Sequence, residues 1–150
     1  MKRVLTIAVV ALLTAAAQPT VPLNAATAPA SVTAGTVKVT IHYKGKGKVD
    51  ASHKLWVWVF DSPNIGAGSM PMGQVSLDKN DSEAVFDGIT VGKAYIAVAF
   101  DETGAMMGDA PPPSGTPIGV LMGSDGAPSA VTPDGNTPVA LTFDDSLRMP

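Results

Sequence analysis

A chain of 150 residues, 45% apolar and only 15% charged, suits a single domain with a buried core. Its formal net charge of −3 leaves no electrostatic footprint for nucleic acid or an anionic membrane surface. The absence of cysteine excludes disulfides, thiolate metal sites, thiol nucleophiles and lipid attachment through a cysteine.

Residues 1–17, MKRVLTIAVVALLTAAA, have a basic start, an apolar run and small residues after it, the layout of a secretory signal peptide. The apolar stretch of about 14 residues is short of the roughly 20 that span a bilayer. The expectation is a signal peptide over 1–25, cleaved between 17 and 30, with no membrane span after its removal. An Ala/Pro/Thr-rich lead-in over 26–34 is expected to be disordered, and a β domain to fill 35–150. Fifteen Gly and 13 Pro punctuate the apolar runs there, which favours strands and turns over helices.

Residues 36–43, TVKVTIHY, alternate strictly, with Val37, Val39, Ile41 and Tyr43 on one face, as in a half-buried strand. KGKGK at 44–48 reads as a flexible, solvated turn. Residues 54–60, KLWVWVF, are apolar on both faces and predict a central strand, with Trp56 and Trp58 on the same side. Those indoles either pack on the sheet face or, if exposed, form a platform for sugars or other flat apolar groups. Next comes a Gly/Pro/Met loop over 61–73, longer than most connections and of a length often tied to function.

Short strands are predicted at 74–77 and 83–86, separated by a polar turn at 78–82. The stretch from Ala84 to Asp101 organises the domain: Asp87-Gly88 starts a turn, Gly92 takes a left-handed conformation, and 94–100 forms a core strand. A second long loop occupies 101–117, ahead of an edge strand at 118–122 and a last strand at 138–143. Seven short strands between turns predict an all-β sandwich. On that count the fifth and seventh strands run the same way, so Asp101 and Asp144 leave at one pole while Asp61 and Asp87 leave at the other.

Chemistry-bearing motifs are few. His42 and His53 lack metal-ligand spacing, and no nucleophile elbow, phosphate-binding loop or dinucleotide fingerprint is present, so the expectation is not an enzyme. Every phenylalanine precedes an aspartate: Phe60-Asp61, Phe86-Asp87, Phe100-Asp101 and Phe143-Asp144. This is either a strand-ending device, with Phe inside and Asp capping a loop in water, or a set of carboxylates that gather around a hard cation such as Ca²⁺. Under the second reading Asp101, Asp109 and Asp144 are the candidate ligands; under the first there is no cofactor.

Phe86-Asp87-Gly88-Ile89, Gly92 and Tyr95-Ile96-Ala97-Val98 together resemble the signature of carboxypeptidase regulatory-like domains, collagen-adhesin B-type repeats and other transthyretin-like (prealbumin-like) sandwiches. Gly35-Thr36-Val37-Lys38-Val39 is similar to the way those domains open, and the resemblance covers roughly 35–145. It implies a seven-stranded Greek-key sandwich with an adhesive, structural or accessory role. The C-terminal Tyr-Arg-Gly-Ser of the transthyretin-related hydrolase is absent. Asp101 to Asp109 also resembles an Asp-Glu-Asn-Gly-Asn-Gly loop of exported bacterial proteins, with Thr103, Ala105 and Met106 in place of the two asparagines and the second glycine. The expected function is thus an exported, periplasmic or extracellular, non-catalytic module that binds a protein or small ligand at the cell envelope. The alternative is a small exported metal-dependent enzyme or carrier using its Asp-rich loops.

Overall fold

A computed structural model describes residues 33–66 and 68–150. The signal peptide, its cleavage site and most of the lead-in lie outside the described residues. Among the described residues there are seven strands and no helix: β1 (Gly35–Tyr43), β2 (Leu55–Phe60), β3 (Gly73–Leu77), β4 (Ser82–Ile89), β5 (Tyr95–Phe100), β6 (Ile118–Val120) and β7 (Val139–Phe143). No helix among them is long and apolar enough to cross a membrane.

The strands form a three-stranded sheet in the order β4-β1-β7 and a four-stranded sheet in the order β3-β2-β5-β6. Alternation decides which side chains meet between them. Val37, Val39, Ile41 and Tyr43 of β1 pack in one core with Leu55, Val57 and Val59 of β2 and with Ile96, Val98 and Phe100 of β5. Burying each such side chain fully contributes about 1.5–3 kcal/mol. β2 is central, paired antiparallel with both β3 and β5, and its sequence is apolar on both faces because the core covers one and a second cluster around Trp58 covers the other.

Two local expectations change. Asp87-Gly88 does not begin a turn, because β4 stays paired to β1 as far as Ile89 opposite Gly35, with a register shift between Gly35 and Val37. The extra residue is taken up as a bulge, where Gly88 supplies a left-handed φ of 75° and Asp87 Oδ1 accepts the Thr36 hydroxyl at 2.7 Å. The left-handed glycine is therefore Gly88 and not Gly92. The edge strand β6 is three residues long rather than five, since Met122 instead forms a bridge with Pro128. Its edge is closed by the C-terminal tail, Ile118 N donating to Leu147 O and Met149 N to Thr116 O, both at 2.9 Å.

The turn after β1 is held rather than loose. Asn80 replaces a neighbouring strand, bonding both backbone groups of Tyr43 at 2.8 Å, and Lys46 N donates to Asp145 at 2.9 Å. β7 runs parallel to β1, with Tyr43 opposite Phe143. The Tyr43 ring lies 4.5 Å from that of Phe100 and 5.0 Å from that of Phe143, so β1, β5 and β7 end at one pole. Asp101 and Asp144 leave there, whereas Asp61 and Asp87, on strands antiparallel to β5 and β1, lie toward the other pole.

Phe100 is 2% exposed. Truncating it to alanine should destabilise the domain by about 3–5 kcal/mol, while Lys38→Ala should stay within about 0.5 kcal/mol. Urea unfolding of the two variants checks this; a small, equal effect would remove Phe100 from the core.

Candidate functional site

The outer face of the four-stranded sheet carries the second apolar cluster. Alternation along β2 turns Trp58 and Phe60 outward beside Ala97 and Ala99 of β5, with Trp56, Ile65, Met106 and Ile118 packed around them. The loop over 101–117 straps across this face. The Trp58 indole N–H donates to the Gly108 carbonyl at 3.0 Å, and Gly108 has a φ of 82°. A Cβ on Gly108 would overlap the six-membered ring of Trp56, so only glycine lets the strap lie this close. The two indoles are on one side as expected, but Trp58 is only 5% exposed, so they do not form an open paired platform. The Trp56 indole N–H is buried and has no partner among the described residues.

Asp101 starts the strap. It is 3% exposed, the one Phe-Asp aspartate that turns inward. Its Oδ1 accepts the backbone N–H groups of Thr103, Gly104 and Ala105 and the Thr103 hydroxyl, at 2.8–3.3 Å, and its Oδ2 accepts Met106 N at 2.9 Å. A buried carboxylate with this many donors replaces its lost hydration with fixed dipoles. Asp101 N also donates to Lys54 O at 2.9 Å, tying the strap to the segment entering β2.

Between strap and segment opens a pocket of about 280 Å³, walled by His53, Lys54, Trp56, Asp101, Thr103 and Met106. The turn at its rim is built by Asp50, whose Oδ1 accepts the backbone N–H groups of His53 and Ser52, each at 3.0 Å. Those two bonds, that of His53 first, hold the Asp50 carboxyl below its usual range. His53 Nδ1 lies 3.2 Å from the same oxygen. A larger groove of about 520 Å³ beside β6 has mostly apolar walls, among them Ile65, Ile118 and Leu147. The polar groups converge in the smaller one. The sequence signal for this site was the Asp50-x-x-His53 spacing of a side-chain-capped turn, which the search for metal and nucleophile patterns passes over.

The three candidate cation ligands are not brought into one cage. Among the described residues no three His, Cys, Asp or Glu side chains gather as a metal site requires. Asp101 and Asp144 do leave at the same pole, yet each acidic group there has its own partner. Asp144 is exposed and accepts Ser146 N at 2.9 Å, Glu102 pairs with Arg148 at 2.8 Å, and Asp145 accepts the Tyr43 hydroxyl and Lys46 N. Asp109 is exposed, one residue beyond the glycine that covers Trp56.

Asp101→Asn places an amide N–H₂ among backbone N–H donors, and should cost about 1.5–3 kcal/mol, the value of hydrogen bonds to a charged group. The loss should be the same with and without millimolar Ca²⁺ in thermal unfolding. A Ca²⁺ stabilisation of the unsubstituted chain that disappears in Asp101→Asn would instead make Asp101 a cation ligand.

The Tyr43–Asp145 bond bounds stability at both ends of the pH scale. Burial, then the Asp145 hydrogen bond, raise the Tyr43 phenol well above its usual range. Its contribution is full below the unfolded value of about 10 and is lost as pH rises beyond it. Asp145 is held low by the Tyr43 hydroxyl and then by Lys46 N, so its contribution is full above about 3.9 and is lost as pH falls through the lower folded value. Tyr43→Phe should flatten the alkaline limb of the stability profile and weaken the acid one; an alkaline limb unchanged by the substitution would assign it to another group.

Compared with known proteins, the chain matches no family model, no curated protein and no solved structure.

Proposed function

We propose that the chain is an exported, non-catalytic binding module: a transthyretin-like, Greek-key β-sandwich that takes a small polar ligand, or a polar group of a partner, at the cell envelope or outside it. The observation that carries this reading is the 280 Å³ pocket between the Asp101 strap and the Asp50 turn. Its walls are mostly polar and set one indole beside an imidazole, an ammonium and a hydroxyl, which suits a small polar ligand with one apolar face. Its backbone is fixed in advance by the Asp101 and Asp50 hydrogen bonds, which lowers the ordering cost of binding. The signal-like N-terminal sequence supports export, and the seven strands in two sheets support the sandwich.

Panels of free monosaccharides and free amino acids, followed by tryptophan fluorescence and thermal unfolding, test this. A ligand at about one hundred times its Kd stabilises the folded state by about 2.7 kcal/mol. The expected result is a compound that shifts both signals and loses its effect in His53→Ala and Thr103→Ala, with the compound recovered unchanged. A shift that survives both substitutions would place binding elsewhere, and chemical conversion of the compound would end the non-catalytic reading.

A further inference from the structure

The two strands that border the apolar groove are finished differently. β6 is closed by the C-terminal tail, whereas β7 pairs only with β1 among the described residues. Lys44 N donates to Phe143 O at 2.8 Å, which fixes the phase of the β1–β7 ladder. Backbone groups along a strand alternate in direction with period two. Val139, Leu141 and Phe143 therefore turn their N–H and C=O groups toward β1, and Ala140 and Thr142 turn theirs to the open edge. Both of these residues are exposed, and their backbone groups have no hydrogen-bond partner among the described residues. Edge strands are commonly blunted by charge, proline or a bulge. β4, the other edge of this sheet, carries Glu83, Asp87 and the bulge near Gly35. β7, VALTF, has no charge, no proline and an unbroken register.

We propose that β7 accepts an extended peptide segment of a partner protein as an added antiparallel strand, with apolar side chains at alternate positions. The open N–H and C=O groups of Ala140 and Thr142 are complementary to another extended backbone, and antiparallel pairing is the more stable sense. The groove supplies the side-chain preference. A strand laid on β7 sends every second side chain to the inner side of the sheet, toward β6 and the groove of about 520 Å³. Ile65, Val120, Met122, Phe143 and Leu147 give that groove its apolar walls, and Met122 and Leu147 are 51% and 53% exposed. Main-chain bonds then provide affinity, and the groove selects the alternate side chains. A second copy of the chain does not fill it, because the inward residues of its β7, Leu141 and Phe143, are already buried in its own core. The groove shares no wall with the Asp101 pocket, so the proposal does not depend on a ligand binding there.

The test uses the full chain labelled with ¹⁵N and a blocked peptide of alternating valine and threonine, with a lysine at each end for solubility. Without peptide, the Ala140 and Thr142 amides should exchange with solvent fast, and those of Leu141 and Phe143, bonded to β1, slowly. Peptide should slow exchange at Ala140 and Thr142. N-methylation of every threonine in the peptide, whose N–H groups face β7, should weaken binding roughly tenfold or more. N-methylation of every valine, whose N–H groups face solvent, should leave binding within about threefold. Thr142→Pro removes a donor that β1 does not use, and should weaken binding roughly tenfold with little change in the urea midpoint. Equal affinity of the two methylated peptides, or no slowing at Ala140 and Thr142 in excess peptide, would overturn the added strand; the opposite methylation pattern would overturn its antiparallel sense. Slow exchange of those two amides that grows with protein concentration alone would make a second copy the occupant.

Discussion

The rings of Tyr43, Phe100 and Phe143 hold together the ends of three strands drawn from both sheets. Tyr43 is the hinge of the arrangement, because it is in contact with the last residue of β5 across the core and with the last residue of β7 beside it in the same sheet. A buried aromatic pair is worth about 0.5–1.5 kcal/mol beyond its area. Its larger consequence is positional. Once those three residues are fixed, Asp101, Asp144 and the KGKGK turn must all emerge at the same pole, and the strap over the outer indoles starts from a defined point. The phenol of Tyr43 then reaches past the core to Asp145, so a single side chain links apolar packing to the polar pole.

Most of the strand positions were legible because period-two alternation survives in a sheet with one buried face. β1 reads directly as Val37, Val39, Ile41 and Tyr43 inward, and β2 as central because both its faces are covered. Asp87-Gly88 misled for a physical reason: the same two residue types serve a turn and a bulge, and only the pairing of Ile89 with Gly35 decides between them. The length of β6 was overestimated because Met122, apolar like the strand before it, instead bridges Pro128. The candidate site was much less visible. That Trp56 and Trp58 share a side is a result of alternation, but what covers them is a loop some fifty residues away, held by a glycine carbonyl that carries no sequence signal of its own.

The Phe-Asp repeat shows how one local device acquires different roles. In all four cases the ring is buried. At Asp61 the carboxylate stays in water, at Asp144 it accepts Ser146 N, at Asp87 it bonds a neighbouring strand's threonine, and at Asp101 it turns inward and organises five donors. The residues after Asp101 make the difference. Thr103, Gly104 and Ala105 are small enough to wrap around an oxygen, and Gly104 adopts a φ of 71° to do so. Asp50, Asp101 and Asp134 each shape a loop in this way, accepting backbone N–H groups of the residues that follow them.

The parallel pairing of β1 with β7 has a mechanical meaning. These strands lie next to each other near the two ends of the domain, with Val39 opposite Val139 and Tyr43 opposite Phe143. Tension drawn from the start of β1 and the end of β7 would pull the two strands past each other lengthwise. Every hydrogen bond of that ladder would then share the load at once, instead of opening singly as in a zipper. A domain anchored through its two ends would in this direction behave as a clamp, resisting shear with its whole terminal ladder.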